Sequence, residues 1–203
     1  MSRHAEVFNR TGVGDSRFSP LPAADGQPIP HIYLAQNHVG ALLESALHDV
    51  WGATATIQRT DLRGRCLRRV TCLTDLRVID LRDDRLDHYG IGREQLIASP
   101  PEHYACSRRW AQQRAQASIG GQPTAGFIWH SRQVEVAADH AREPMRILLA
   151  IVEQAGHTAI IYDSNGRGHD WFNTDIVHAD LSVGNGLAFV TELAVALGLH
   201  VED

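Results

Sequence analysis

A strand-like segment followed at once by an amphipathic helix pattern is the feature that most constrains this fold. Residues Ile29–Ala35 read IPHIYLA, a short run of apolar and aromatic residues that predicts a strand. Gln36 and Asn37 then provide a helix start, because an Asn side chain accepts hydrogen bonds from the free backbone amides of a first turn. The apolar residues that follow share one helical face: Val39, Leu42, Leu43, Ala46, Leu47 and Val50. This unit is therefore predicted as strand, cap and amphipathic helix, with Gly52 ending the helix.

Short strands and dispersed helices are predicted along the rest of the chain. The strand patterns are Ala53–Gln58, Leu73–Leu81, Phe127–Ser131, Ile160–Asp163 and Leu199–Val201. The helix patterns are Arg93–Ala98, Tyr104–Ala117 with Trp110 as its core anchor, and Leu187–Leu197, which Gly198 ends. This mixture predicts the α+β class. A length of 203 residues with 43% hydrophobic content predicts a single domain over residues 1–203.

Composition excludes several classes of function. The formal net charge of −5 argues against a surface that binds nucleic acid directly. Three cysteines without a CxxC pair favour a reducing cytoplasm over a disulfide framework. No apolar run is long enough for a signal peptide or a membrane span, so we expect neither secretion nor a membrane anchor. The 12 histidines lack paired ligand spacing, and we expect no metal site.

Two charged features are candidates for chemistry. Arg17, with Arg10 seven residues earlier, lies in a glycine-containing loop where guanidinium and backbone donors could approach a phosphate. The alternative is an ordinary structural loop arginine. Glu44 and His48 are spaced i, i+4 on the flank of the apolar helix stripe, where a carboxylate can be partly desolvated for acid–base work or charge stabilisation. The alternative is an ordinary pair on a helix surface.

Two further residues lie on predicted strands. Alternation places Ser131 on the same strand face as Phe127 and Trp129, where its hydroxyl could bind a ligand. Ser131 lacks the GxSxG context of a hydrolase nucleophile, and a plain strand-end serine is the alternative. Tyr33 could stack on a flat ring, although a tyrosine in a strand is more often part of the core.

The order of these segments resembles the RES domain. The segments are Phe8-Asn9-Arg10, Ser16-Arg17-Phe18-Ser19-Pro20, Tyr33-Leu34-Ala35, Ala41-Leu42-Leu43-Glu44 with His48, and Trp129-His130-Ser131-Arg132-Gln133. The usual Gly-Gly-Arg-Trp-Asn pattern is replaced here by residues 15–19, and a proline-rich insertion precedes Tyr33. The resemblance implies a fold like that of the ADP-ribosyltransferases, with mixed or antiparallel sheets and flanking helices.

The resemblance also implies a function. A RES-type chain would be the toxin of a bacterial toxin–antitoxin pair, neutralised in a multi-chain complex by an Xre-type helix-turn-helix antitoxin. It would use NAD as substrate and cleave the nicotinamide–ribose bond by hydrolysis or phosphorolysis. Arg17, Glu44 and Ser131 would carry the chemistry, and NAD would be bound by Arg10, Arg17, Tyr33 and Ser131. ADP-ribosyl transfer to a macromolecule and a non-catalytic binding role are the alternatives.

Overall fold

A mixed four-stranded sheet is the central element of the structure. The computed structural model describes residues 8–48, 50, 55–115, 118–141, 157–164 and 166–203. Its strands are β1 His31–Ala35, β2 Thr56–Gln58, β3 Leu67–Cys72, β4 Val78–Asp80, β5 Ser118–Ile119, β6 Gln122–Pro123, β7 Gly126–His130, β8 His157–Tyr162, β9 Phe172–His178 and β10 His200–Glu202. The central sheet has the order β1-β8-β7-β4. Within it, β8 is antiparallel to both β1 and β7, whereas β4 runs parallel to β7.

Helices and three smaller strand pairs surround this sheet. The helices are α1 His38–Leu43, α2 Arg59–Leu62, α3 Asp83–Leu86, α4 Arg93–Leu96, α5 Tyr104–Ala115, α6 Arg132–His140 and α7 Gly184–Ala196. The additional pairs are the parallel pair β2–β10 and the antiparallel pairs β3–β9 and β5–β6. Helices and mixed or antiparallel sheets confirm the predicted α+β class. None of the described helices is both long and apolar enough to cross a membrane.

The first strand–helix unit forms as predicted but is shorter. The strand begins at His31, two residues after the predicted start, and Asn37 caps α1 by accepting a hydrogen bond from the Gly40 N–H at 2.8 Å. The helix ends at Leu43, and the chain continues in turns through residue 48. Leu47 is still fully buried, because its N–H donates to the Leu42 carbonyl and turns the side chain back into the core. Gly52, the predicted end of the helix, lies outside the described residues.

Two apolar clusters hold the layers together. One face of the sheet contributes Phe127, Trp129 and Ile160 to a core that also contains Phe18, which is fully buried. Alternation along β7 and β8 places these side chains on the same face. The second cluster lies between helices α1, α6 and α7 and the β2–β10 pair: Val39, Leu42, Leu43, Leu47, Ile57, Val134, Ala137, Val190, Leu193 and Ala194 belong to it.

The strand predicted at Leu73–Leu81 is wrong over its first half. Only Val78–Asp80 forms a strand, and Leu73 is 62% exposed. The strand in this region is instead β3, Leu67–Cys72, which carried no strand prediction, and its partner β9 was also missed. Both belong to a ribbon with many exposed side chains, where cross-strand pairing and not an apolar pattern determines the structure.

The remaining helix and strand predictions hold with small boundary changes. Helix α5 covers the predicted segment as far as Ala115, and the two residues after it are outside the described part. Trp110 is partly buried and packs on Phe127 at a ring separation of 5.9 Å, as expected of a core anchor. Helix α7 ends before Gly198, whose φ of +76° suits glycine, and β10 follows one residue later than predicted.

The close approach of β7 and β8 generates a stability prediction. A Cβ built on Gly126 would lie 1.8 Å from the Ile160 carbonyl oxygen, so the strands would have to separate. We expect Gly126→Ala to lower the free energy of unfolding by about 3 kcal/mol, measured by chemical denaturation. The matched control is Gly40→Ala, where the new Cβ would meet its neighbours at 3.5 Å or more. Equal effects of the two substitutions would contradict the steric argument.

Candidate functional site

A hydrogen bond between Ser131 and Glu44 is the centre of the site. Ser131 follows β7 directly and is the N-cap of α6, so the predicted strand ends one residue earlier, at His130. Glu44 is the C-cap of α1. The Ser131 hydroxyl donates to Glu44 Oε1 at 2.6 Å and accepts from the Val134 N–H at 3.2 Å. One hydroxyl therefore caps a helix and fixes a carboxylate at the same time.

Burial controls the protonation of Glu44. It raises the pKa of Glu44 above its ordinary value of 4.5, whereas the hydrogen bond from Ser131 and the nearby His48 and Arg17 lower that pKa. The effect of burial is the larger one. His48 does interact electrostatically with Glu44, but the two are not an i, i+4 pair on a helix as predicted, because α1 ends at Leu43. A carboxylate in this setting can stabilise a developing positive charge or accept a proton.

Backbone carbonyls hold Arg17, which interacts electrostatically with this carboxylate. Its Nη1 donates to the Leu96 carbonyl and the Ser99 carbonyl, both at 2.9 Å, and to Ser99 Oγ at 2.8 Å. The guanidinium carbon lies 4.9 Å from the centroid of the Tyr104 ring. Burial lowers the pKa of Arg17, and Glu44 is among the groups that oppose this effect.

Phe18 fixes the loop that carries Arg17. Its ring packs edge-on against Trp129 at 5.0 Å, and its carbonyl accepts a hydrogen bond from the Tyr162 hydroxyl at 2.5 Å. The residue next to the site arginine is therefore part of the hydrophobic core. The loop is anchored although it contains no helix or strand.

Tyr33 is an exposed residue of β1 that interacts electrostatically with Glu44. Its side chain is on the same sheet face as Trp129, with the rings edge-to-face at 6.2 Å, and its Oη lies 2.7 Å from Ser16 Oγ. Tyr33 is 39% exposed, yet burial raises its pKa, and Glu44 adds to this effect. Tyr33 is therefore available to a ligand, and the core alternative is wrong.

The structure brings four of the five predicted site residues together. Arg17, Tyr33 and Ser131 all interact electrostatically or by hydrogen bonding with Glu44. Arg10 instead lies near the first residue of β1, where its Nη2 is 3.6 Å from the fully buried Asp163 carboxylate. Among the described residues, no contact joins Arg10 to the other four. Its predicted role in binding NAD stays a prediction.

Sequence reasoning missed the residues that support the site. Ser99 accepts a hydrogen bond from Arg17, and the Tyr104 ring stacks on the Arg17 guanidinium. Ser16 forms a hydrogen bond with Tyr33. Ser16 lies in the same motif as Arg17, so proximity in sequence could have identified it. Ser99 and Tyr104 follow Arg17 by more than 80 residues, and no local pattern connects them to it. Within the described residues, no three His, Cys, Asp or Glu side chains converge as a metal site would require.

Comparison with known proteins identifies one family. The RES domain family model matches residues 3–142, well over half of the chain. The matched segment contains Arg10, Arg17, Tyr33, Glu44 and Ser131 and ends just after α6. No curated protein and no solved structure matches the chain.

The shared hydroxyl generates a prediction for Ser131. Ser131→Ala removes both the N-cap of α6 and the hydrogen bond that lowers the pKa of Glu44. We expect unfolding to become easier by about 1 kcal/mol and the pKa of Glu44 to rise further, measured by denaturation and by carboxylate NMR titration. Ser131→Thr, which retains a hydroxyl, is the control. An unchanged titration of Glu44 in Ser131→Ala would contradict the assigned hydrogen bond.

Burial of Glu44 generates a prediction about stability and pH. Because its pKa is raised in the folded state, the native chain holds more protons than the unfolded one between 4.5 and that raised value. Stability contributed by this site is thus present at low pH and is lost as pH rises through the window. We expect Glu44→Gln to raise the Tm relative to wild type at about pH 7.5, with the difference disappearing near about pH 4.

Glu94→Gln is the matched control, because Glu94 is exposed on α4. Calorimetric Tm values across this pH range should show no comparable crossover for the control. A Glu44→Gln protein that is less stable than wild type at neutral pH would contradict the assigned desolvation.

Proposed function

Because the chain belongs to the RES domain family, we propose that it consumes NAD by cleaving the bond between nicotinamide and ribose. The family is associated with toxins and with NAD-related enzymatic activity. The observation that carries the proposal is the Ser131–Glu44 hydrogen bond, with Arg17 and Tyr33 both interacting electrostatically with the Glu44 carboxylate. A partly desolvated carboxylate, a cation and an accessible aromatic ring together match a dinucleotide whose reacting carbon becomes positive.

The proposed reaction needs no strong nucleophile. The nicotinamide ring of NAD is cationic, so the bond from ribose C1′ to the ring nitrogen breaks with its electron pair moving to nicotinamide. The ribose is left as an oxocarbenium-like species. Water or inorganic phosphate then adds through oxygen to C1′, and water gives up a proton to Glu44 or to solvent. Glu44 stabilises the positive charge because a carboxylate in a low-dielectric setting interacts strongly with it.

The other residues position the substrate in this proposal. Arg17 binds a pyrophosphate oxygen, because its guanidinium is fixed by carbonyls and its remaining donors can form charge-assisted hydrogen bonds. Tyr33 offers an exposed ring for packing against nicotinamide. Ser131 orients the Glu44 carboxylate toward the sugar. Fixed groups of this kind increase rate by orientation as well as by charge.

We extend the proposal to the cellular role. Depletion of NAD would arrest growth, and the toxin association of the family supports control by a helix-turn-helix antitoxin of the Xre type in a multi-chain complex. Cys66, Cys72 and Cys106 are free thiols, which suits the reducing cytoplasm. Co-purification of the chain with the product of an adjacent reading frame would test the partner.

Nicotinamide release is the measurement that tests the reaction. Purified protein is incubated with NAD, with and without inorganic phosphate, and the products are separated by chromatography. We expect free nicotinamide in both cases or only with phosphate, and we expect Glu44→Gln to reduce its rate about 10²-fold or more. Glu94→Gln, which alters an exposed carboxylate, should retain the wild-type rate.

Each other outcome has a defined meaning. Label from NAD on a protein band would show ADP-ribosyl transfer in place of NAD degradation. A chain that neither binds NAD in a thermal shift assay nor releases nicotinamide would be a non-catalytic relative. Full activity in Glu44→Gln would contradict the assigned site.

A further inference from the structure

Arg132 lies directly beside the site but has no role in the proposed reaction so far. It follows Ser131 as the first residue of α6 and is half-buried. Its Nη1 donates to the Ala98 carbonyl at 3.2 Å. The side chain is thus directed toward the segment that also receives Arg17.

Arg17 and Arg132 therefore donate hydrogen bonds to the same short turn. Arg17 donates to the carbonyls of Leu96 and Ser99, and Arg132 donates to the carbonyl between them in sequence, at Ala98. The two guanidinium groups are close enough to interact. Burial lowers the pKa of Arg17, and the positive charge of Arg132 lowers it further.

Neutral groups support both cations. In the described part of the chain, neither Arg17 nor Arg132 forms an ion pair with a carboxylate. Arg93 in the neighbouring helix α4 differs, because it pairs with Asp83 at 3.0 Å and with Glu135. Carbonyls satisfy single donors without neutralising charge, Glu44 offsets the charge of Arg17 only in part, and two adjacent cations repel each other. An anion placed between them would remove this repulsion.

Free donors remain for such an anion. The hydrogen bonds of both arginines within the described residues use Nη1 alone, which leaves Nε and Nη2 of each available. None of these nitrogens is among the fully buried polar atoms that lack a partner. They therefore remain accessible to solvent and to a ligand.

The support for the two arginines is rigid. Leu96 and Ile97 of the turn are fully buried in the core cluster of Phe18 and Trp129. Arg93 joins the start of α4 to α6 through Glu135. The positions of both guanidinium groups are therefore set before any ligand arrives, which reduces the entropy lost on binding.

We propose that Arg17 and Arg132 form a two-arginine site that binds phosphate oxygens, with the turn Leu96–Ser99 as its support. This proposal rests on the proposed function, in which the ligand is the pyrophosphate of NAD. Free inorganic phosphate has the same chemistry. Because Arg132 is adjacent to Ser131 in sequence, the phosphate is held at a fixed distance from the Ser131–Glu44 pair. Arg132 thus sets the position of the dinucleotide along the cleft.

Calorimetric binding of ADP, inorganic phosphate and adenosine to the purified full chain tests this proposal. We expect Arg132→Gln to weaken ADP binding about tenfold or more and to leave adenosine binding unchanged, because only ADP has phosphate oxygens. Arg132→Lys retains the charge without the planar fork and should be intermediate. Arg109→Gln removes an exposed arginine of α5 and should bind ADP as wild type does.

The separate measurements with ADP and with inorganic phosphate identify which anion the site binds. Loss of ADP affinity in Arg132→Gln indicates the pyrophosphate, and loss of phosphate affinity with unchanged ADP affinity indicates free phosphate. Unchanged affinity for both, or no binding of either to the wild type, would overturn the two-arginine site. If Arg132→Gln fails to fold, as circular dichroism would show, wild-type ADP affinity in a folded Arg132→Lys would also overturn it, and a several-fold loss would support it.

The test separates this proposal from the proposed function. Wild-type protein that binds ADP through Arg132 but releases no nicotinamide would retain the two-arginine site and reject NAD cleavage. Protein that cleaves NAD with the same KM in wild type and Arg132→Gln would retain the reaction and reject the site.

Discussion

The hydrogen bond from Ser131 to Glu44 connects parts of the chain that are 87 residues apart. It joins the end of α1 to the point where β7 becomes α6. The same hydroxyl also caps α6, so the position of the carboxylate and the start of that helix depend on each other. A buried polar pair is costly unless its groups are satisfied, and here the geometry of three elements is needed to satisfy it. The site is therefore a product of the fold and not of a flexible loop.

The cations around this carboxylate are held differently. Arg17 and Arg132 rest on carbonyls of one turn, whereas Arg93 is neutralised by acidic partners. The first arrangement uses neutral acceptors, and the second pairs the positive charge with carboxylates. Arg10 belongs with the second group, because it pairs with the buried Asp163. The count of arginines in the sequence could not separate these two uses.

Local patterns predicted a large part of the fold. The Asn37 cap, the buried face of α1, helix α5 and the α7–β10 end of the chain all depend on residues close in sequence. The β3–β9 ribbon was missed because its pairing joins residues about 100 positions apart in a region with little apolar pattern. Helix α6 was missed because Ser131 was read as the end of a strand, although it is also a helix cap. Patterns of residues close in sequence do not show which distant residue will form a hydrogen bond or pair with a given strand or polar side chain.

The candidate site could be predicted only from the order of the sequence motifs along the chain. Arg17, Tyr33, Glu44 and Ser131 were named from the sequence, and in the structure the other three all interact with Glu44. Arg132 lay within a quoted motif but received no role, since nothing in the sequence shows that it shares a support with Arg17. That support is the turn Leu96–Ser99, which is distant from both arginines in the chain.

Phe18 has a consequence for how variation in this protein should be read. Its ring is completely enclosed, and its position in the core fixes that of the neighbouring Arg17. A screen for loss of function would recover changes at Phe18 together with changes at the site residues themselves. A smaller residue at this position would leave a cavity in the core next to Arg17, so loss of stability and displacement of the guanidinium would be difficult to separate in such a screen. Lists of inactivating mutations in such a chain therefore include core residues that position the site as well as the site residues themselves.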